Sequence, residues 1–222
     1  MSEKKRPRRT RERILETSLA LFNRAGEPNV TTAHIADEMN ISPGNLYYHF
    51  RNKDDIIGEL FAAYAAEVAP LLAVPPGRSP DVEDLWLMLH LVFERMGAYR
   101  FLFRDLDEIA SRNRKLGLAH ANLVRRGEET IVALCHGMVD AGTMRATERE
   151  IAALATNVAM VSTYWLSYQR LTTQAHSRGD ADAANPAQAA YQVLALFAPF
   201  TSGDTRALIE HLGARYLAKE IR

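Results

Sequence analysis

The stretch TTAHIADEMNISPGNLYYHFRNKDD, residues 31–55, contains closely spaced signals that start a helix. Thr31 can cap a first short helix, because its hydroxyl can accept a hydrogen bond from a backbone N–H of the first turn. Ser42 repeats this pattern, and Pro43 follows at the first helical position, where its missing N–H costs nothing. Asn40 is suited to the left-handed backbone of a sharp turn between the two helices.

Apolar residues beside these caps indicate how the two helices are anchored. Val30 and Ile35 have the spacing of a hydrophobic staple, and Ile41 and Leu46 repeat it in the second helix. Helices of about two turns are unstable alone, so both must pack against longer neighbours. Asn52 is predicted to cap the next of these longer helices. The pattern therefore predicts a helix-turn-helix.

The second short helix, predicted over residues 43–49, has an unusual outer surface. Glycine in a helix costs about 1 kcal/mol relative to alanine, and is useful where another surface must approach the backbone closely. A short corner in an ordinary helical bundle would explain the caps but not this surface. We therefore predict that the start of the helix enters the major groove of DNA, with its far end nearer the flanking backbone. In place of Lys or Glu, the outward positions are Pro43, Gly44, Asn45, Tyr47, Tyr48 and His49.

The charge distribution favours the same partner. The chain of 222 residues has a net charge of +0. Residues 1–53, however, hold ten Lys or Arg and six Asp or Glu, which gives +4 there and −4 in residues 54–222. We predict that residues 1–9, MSEKKRPRR, form a disordered basic arm that follows the minor groove or the phosphates; a solvated tail is the alternative. Lys53 is predicted to add a phosphate contact.

The whole chain is predicted to be all-α, with nine or ten helices, because no stretch shows sustained period-2 alternation. We predict a helix-turn-helix domain of three helices over residues 10–56, and a fourth helix, 53–73, as a connector. AVPPGRSP, residues 73–80, is the clearest break in the pattern. Residues 75–222 are predicted to form a larger helical domain.

Composition excludes several other classes of protein. Hydrophobic residues make up 47% and charged residues 24% of the chain, as in an ordinary soluble globular protein. A single cysteine, Cys135, fits a reducing cytoplasm. No signal peptide and no apolar run of about 18 residues is visible, so we expect a cytoplasmic protein with no membrane contact. No catalytic constellation, metal-ligand spacing or cofactor motif is apparent, although a thiol sensor at Cys135 is left open.

The segment RERILETSLALFNRAGEPNVTTAHIADEMNISPGNLYYHFRNKDDII, residues 11–57, resembles the DNA-binding domain of the TetR family of bacterial transcriptional regulators. Part of it is similar to the PhaD-type regulators of polyhydroxyalkanoate metabolism. The resemblance implies that phosphates are contacted by Thr31, Thr32, Tyr47, His49 and Lys53. It also implies that the residues at or beside base edges are Ser42, Pro43, Gly44, Asn45 and Tyr48.

The same resemblance implies that residues 75–222 bind an effector and form a homodimer. The segment 85–103, LWLMLHLVFERMGAYRFLF, is apolar on most sides, which fits either a shared core or an apolar pocket. For a pocket, the ligand would be a small hydrophobic molecule, fatty-acid-like or an acyl-CoA. The candidate lining residues are Trp86, His90, Phe93, Phe103, His120 and Trp165.

The dimer is expected to use the helix predicted over 148–172 together with one over 187–199 or 204–220. The segment YQVLALFAPF lies mostly in the helix predicted over 187–199, and its apolar character is attributed to self-association. The expected function is that of a ligand-responsive repressor that binds a palindromic operator in double-stranded DNA, with two recognition helices about 34 Å apart. The alternative is a helical protein-interaction module whose helix-turn-helix is vestigial.

Overall fold

The computed structural model describes residues 5–74, 77–174 and 186–217, and the regular structure in these ranges is helical. Single 3₁₀ turns cover Glu27–Asn29 and Ala198–Phe200. The α-helices are α1 (Lys5–Ala25), α2 (Thr32–Glu38), α3 (Pro43–His49), α4 (Lys53–Val68), α5 (Val82–Ala98), α6 (Phe101–Arg104), α7 (Leu106–Arg112), α8 (Arg114–Asp140), α9 (Glu148–Gln174), α10 (Pro186–Phe197) and α11 (Gly203–Leu217).

The chain divides into two compact units. The first contains Met1–Ala66 and Tyr99–Leu118, and the second contains Glu67–Ala98 and Ala119–Arg222. This division differs from the predicted boundary at residue 75, because α6, α7 and the first residues of α8 group with the N-terminal helices. The predicted all-α class is confirmed.

The core of the first unit explains why α6 and α7 belong to it. Phe22 of α1 and Phe101 of α6 are fully buried, and their ring centroids lie 5.1 Å apart. Tyr64 of α4 lies against Tyr99 and Phe103, with ring centroids 5.6 and 5.5 Å away. The two short helices therefore complete a core that the N-terminal sequence alone would leave open to water.

The start of the first helix differs from the prediction. Helix α1 begins at Lys5, so Lys5–Arg9 is helical where a disordered arm was expected; residues 1–4 lie outside the described residues. Lys and Arg are good helix formers, and Pro7 falls in the first turn, where proline is tolerated. Residues 101–140 form three helices, because the backbone leaves helical geometry at Asp105 and Asn113.

The core of the second unit corrects the interpretation of YQVLALFAPF. Helix α10 packs against α5, α9 and α11 of the same chain. Val193, Leu194 and Phe197 are at most 1% exposed, so the monomer's own core accounts for the apolar character that was attributed to self-association. A close approach also shapes this unit: a Cβ at Gly137 of α8 would lie 2.2 Å from Pro80, so that packing requires glycine.

Three further features concern membrane spans, metal sites and the reactivity of Cys135. Within the described ranges, no helix combines the length and the apolar character needed to cross a bilayer. The same residues hold no group of three or more His, Cys, Asp or Glu side chains arranged to bind a metal ion. Cys135 is fully buried, and burial raises the pKa of its thiol to about 12. A buried neutral thiol is a poor nucleophile, which disfavours the redox-sensor interpretation.

Candidate nucleic-acid interface

The caps that define the helix-turn-helix are formed by the predicted side chains. Thr31 Oγ1 accepts a hydrogen bond from the backbone N–H of His34 at 3.2 Å, and His34 Nδ1 in turn accepts from the Thr31 N–H at 3.5 Å. Ser42 Oγ accepts from the Asn45 N–H at 3.2 Å. Asn40 has a φ of 53°, so the turn between α2 and α3 adopts the expected left-handed conformation.

Burial separates the two faces of α3. Leu46 is fully buried, and Phe50, which follows the helix, is 2% exposed. The outer face, which we call the α3 face, points to solvent: residues 42–45 are exposed, Tyr47 is 51% exposed and Tyr48 80%. His49 is half-buried, with its ring centroid 5.1 Å from that of Tyr48. Most of the residues predicted to contact DNA therefore share one accessible surface.

Two details make the α3 face suited to close contact. A Cβ added at Gly44 would meet only Ser42 Oγ, at 4.0 Å, so folding does not require a glycine there. The hydroxyl groups of Thr32 and Tyr47 are hydrogen-bonded at 3.0 Å, which ties the start of α2 to the middle of α3. The phenol is therefore oriented before any ligand arrives, and this lowers the entropic cost of using it in binding.

Lys53 is arranged differently from the other predicted contact residues. Its ammonium group lies 2.7 Å from Glu27 Oε1 and donates to the backbone carbonyls of Glu27 and Val30 at 3.0 Å each. An ammonium has three N–H donors, and all three are used within the chain. The Lys53 side chain is 24% exposed. The structure thus places it against the turn that precedes α2.

Sequence reasoning missed the partners of Lys53. Glu27 is fully buried, and its carboxylate also accepts from Arg112 of α7 at 2.6 Å. The Glu27 N–H donates to Asp105 at 2.9 Å. A charged residue between Gly26 and Pro28 has the appearance of an exposed turn, so no local signal indicated burial. The burial of Glu27 becomes visible only in the structure, where α7 belongs to the first unit.

The six residues proposed for an effector pocket are divided between the two units. Phe103 belongs to the first unit, where it packs on Tyr64, whereas the other five belong to the second. In the second unit, Trp86 stacks on His90 with ring centroids 5.4 Å apart, and His90 Nδ1 lies 3.2 Å from the Tyr216 hydroxyl. This cluster closes α5 against α11. The other predicted residues in this unit are Phe93, which is buried, Trp165, which is half-buried, and His120, which is buried and has its pKa lowered by burial.

A cavity of about 120 Å³ does occur in the second unit, beside α5 and α8. It is mostly apolar, and none of the six proposed residues lines it. Thr130 is its most deeply buried polar side chain, and its hydroxyl donates to the Leu72 carbonyl at 2.8 Å. The cavity is smaller than the 300–1,000 Å³ typical of drug-sized ligand sites. Its lining residues are Leu71, Ala73, Asp84, Leu87, Met88, Leu91, Thr130 and Leu134.

Helix α9 exposes a row of large apolar side chains that nothing in the described chain covers. Met160 is 55% exposed, Tyr164 46%, Tyr168 55% and Leu171 67%. Their spacing of four, four and three residues places them on one side of the helix. We call this row the α9 stripe. Contiguous exposed apolar surface of this kind marks an interaction site more often than single exposed residues do.

Comparisons with known proteins agree with this organisation. A family model described as "Bacterial regulatory proteins, tetR family" matches residues 14–60, which include α2, α3 and their caps. A second model, described as "Bacterial transcriptional repressor", matches residues 63–209, which is more than half of the chain.

A crystal structure of a TetR-family transcriptional regulator from Marinobacter aquaeolei VT8 is similar over 93% of this chain and 98% of its own, with 36% identity and a TM-score of 0.81. The TetR family protein CprB from S. coelicolor A3(2) shares the fold, with 16% identity, coverage of 96% and 99%, and a TM-score of 0.67. A curated relative, the probable acrEF/envCD operon repressor of Escherichia coli K12, is 36% identical over 53 residues, 24% of each chain. The chain thus matches about a quarter of the length of that relative. The matches to both halves show that this chain belongs to the TetR family of bacterial transcriptional regulators.

Proposed function

We propose that this DNA-binding regulator is a homodimeric, ligand-responsive repressor that recognises a palindromic operator through the α3 face. The observation that carries the proposal is the exposure of residues 42–45, Tyr47 and Tyr48 on a helix whose opposite side is fully buried. Gly44 supports close approach, because the absence of a side chain there serves no packing need within the chain. We place Ser42, Pro43, Gly44, Asn45 and Tyr48 at base edges, and Thr31, Thr32, Tyr47 and His49 at phosphates.

The α9 stripe supports the dimer. A two-fold axis requires the same surface on both copies, and an exposed row on one long helix can pair with its own copy. We therefore propose that α9 makes the main contact between protomers. Such a dimer would present two α3 faces to half-sites about one DNA turn, roughly 34 Å, apart.

The effector is proposed to be a small hydrophobic molecule that binds in the second unit. The apolar cavity lined by Leu87, Met88, Leu91 and Leu134 supports this choice of ligand. At about 120 Å³ it is too small for a fatty acyl chain as it stands, so a fatty-acid-like or acyl-CoA effector, as in PhaD-type regulators, requires a wider conformer. An effector that prefers this conformer would shift the population away from the one that fits the operator.

Selection from a random pool of double-stranded oligonucleotides tests the DNA-binding part of the proposal. The expected result is an enriched motif with two inverted half-sites, and a selected duplex that binds at least a hundredfold more tightly than a scrambled duplex. Recovery of no enriched sequence at low salt would reject the proposal and favour the protein-interaction alternative. Native mass spectrometry of the protein as purified would then test for the dimer mass and a retained hydrophobic ligand. Because its proposed partner is operator DNA, we propose that the protein acts in the cytoplasm.

A further inference from the structure

An ion cluster centred on a buried carboxylate joins the helix-turn-helix to α7 within the first unit. Glu27, which is fully buried, is its centre: Oε1 lies 2.7 Å from Lys53 Nζ and 2.6 Å from Arg112 Nη2. Arg112 Nε also donates to Asp54 Oδ1, at 3.0 Å. One carboxylate oxygen therefore connects the turn before α2, the first residue of α4 and the last residue of α7.

Neighbouring contacts extend the connection along α6 and α7. Asp105 Oδ2 accepts the Glu27 N–H at 2.9 Å. Arg104 donates to the carbonyls of Phe22 and Asn23, at 2.6 and 3.2 Å, where α1 ends. Four carboxylates (Glu27, Asp54, Asp105 and Glu108, whose Oε1 lies 3.8 Å from Arg112 Nη1) thus face three cations (Lys53, Arg104 and Arg112), so the cluster has a formal charge of −1.

The buried carboxylate at the centre of the cluster requires its cations to stay in place. A buried carboxylate is tolerated only while its cations remain in place, because an unpaired buried charge is strongly unfavourable. Glu27 Oε2 is buried without a hydrogen-bond partner in the described part of the chain, so Oε1 carries both ion pairs. Displacement of α7 would leave Glu27 with Lys53 alone, and would pull on the carbonyls of Glu27 and Val30 that Lys53 also binds.

We propose that Lys53, Glu27 and Arg112 are positioning residues for DNA binding, and that Lys53 acts by fixing the helix-turn-helix on α7 and not by contacting a phosphate. Thr31, the cap of α2, follows directly after Val30, so the Lys53 bonds set where α2 begins. Thr32 then orients Tyr47 of the α3 face through their shared hydrogen bond. This inference rests on the proposed role of the α3 face in DNA binding.

The test compares Lys53→Met and Arg112→Gln with the unaltered chain of 222 residues. Each protein is titrated with a duplex selected from a random pool and with a scrambled duplex, over a range of salt concentrations. Titrations are performed well below each protein's unfolding midpoint, so that the folded fraction is equal. Arg114→Gln is the matched control, because Arg114 is an exposed cation two positions beyond Arg112 that makes no polar contact in the described part of the chain.

We expect both Lys53→Met and Arg112→Gln to weaken binding to the selected duplex roughly tenfold, as for residues that share one hydrogen-bond network. Binding to the scrambled duplex and the slope of log K against log salt should not change. The double variant Lys53→Met/Glu27→Gln should recover part of the loss, because the buried group that has lost one of its two cations is then uncharged. Arg114→Gln should behave as the unaltered protein.

Each other outcome overturns the inference. If Lys53 neutralised a phosphate, Lys53→Met would weaken binding to both duplexes and make the salt slope shallower by about 0.9, without rescue by Glu27→Gln. A merely structural role would lower the unfolding midpoints and leave the affinity of the folded protein unchanged. If Lys53→Met does not fold, Arg112→Gln decides whether the link to α7 positions the α3 face: unchanged affinity for the selected duplex overturns the inference, because Arg112 is not on that face. If the unaltered protein selects no duplex, the proposed function fails as well, and that result is distinct from a change in the variants only.

Discussion

Thr32 Oγ1 and Tyr47 Oη lie 3.0 Å apart, so one hydrogen bond joins the first residue of α2 to the middle of α3. Both residues were predicted to contact phosphates, and the bond couples the position of one to that of the other. Its location on the exposed side means that it contributes little to stability and mainly fixes the direction of the phenol. This pair permits a clean separation of binding from folding.

Replacing Tyr47 with Phe removes this hydrogen bond and keeps the ring. We expect the free energy of unfolding to fall by less than about 1 kcal/mol, since an exposed neutral bond is near the low end of the usual range. Affinity for a selected duplex should fall severalfold, because the hydroxyl and its orientation are both removed. Urea unfolding and a fluorescence titration measure the two quantities. Tyr48→Phe is the matched control for stability: Tyr48 is 80% exposed, and its variant should unfold as the unaltered protein does.

Replacing Gly44 with Ala should weaken DNA binding without lowering the stability of the fold. The added methyl meets only Ser42 Oγ at 4.0 Å, and alanine favours a helix over glycine by up to about 1 kcal/mol. The variant should therefore be as stable as the unaltered protein, or more so. Binding to the selected duplex should nevertheless weaken at least tenfold, because the methyl holds the backbone away from the groove.

Gly127→Ala provides the comparison for Gly44→Ala. Gly127 lies within α8, and a Cβ there meets nothing within 4 Å. This variant should gain the same helical stability and bind DNA normally. Unchanged DNA affinity of Gly44→Ala would show that the start of α3 does not approach DNA closely, and would remove Gly44 from the proposed site.

The helix-turn-helix could be predicted from the sequence because its determinants are local. Thr31, Ser42 and Asn40 act on backbone groups within three or four residues of themselves, so their caps and turn can be recognised in the sequence alone. Pro43 marks the start of α3 for the same reason. The boundary and the outward face of this helix therefore agree with the structure.

The role of Lys53 could not be predicted in this way, because its environment is not local. Glu27 lies 26 residues before it, and Arg112 lies 85 residues after Glu27. Burial of Glu27 depends on α7, which the sequence pattern assigned to the C-terminal domain. The effector pocket stays a prediction for a related reason: a helix that is apolar all round can line a cavity or a core, and the hydrophobic pattern does not distinguish them.

The start of α5 gives a prediction for pH dependence. Asp84 Oδ2 accepts from Arg78 Nη1 at 2.6 Å and from the Asp81 N–H at 2.9 Å. The hydrogen bond from Arg78, followed by that from Asp81, lowers the pKa of Asp84 below its ordinary value of 3.8. A carboxyl whose pKa is lower in the folded state stabilises the fold above its unfolded pKa, and that contribution disappears as the pH falls through the folded value.

Asp84→Asn should therefore destabilise the protein by up to about 1 kcal/mol at neutral pH, because it removes the charge that pairs with the half-exposed Arg78. The deficit relative to the unaltered protein should stay constant down to about pH 5 and shrink below about pH 4. Urea unfolding at a series of pH values measures it. Arg78→Gln, which removes the same ion pair from the other side, should show a similar deficit and a similar pH dependence. A deficit that grows as the pH falls would contradict the assignment.

The α9 stripe gives a prediction for assembly. Tyr168→Asp places a charge in the middle of the row formed by Met160, Tyr164 and Leu171, where a second copy is proposed to pack. Burying an unpaired carboxylate in an interface is strongly unfavourable, so the dimer should dissociate at concentrations at least tenfold higher than for the unaltered protein.

Analytical ultracentrifugation measures this change, and a titration with the selected palindromic duplex should show a parallel loss of affinity. The control is Leu118→Asp, at another exposed apolar residue, 58% exposed on α8 and outside the stripe. It should leave both the mass and the affinity unchanged. A Tyr168→Asp protein that remains dimeric at low micromolar concentration would exclude α9 as the main interface. Dissociation of the Leu118→Asp protein would instead show that the contact surface includes α8.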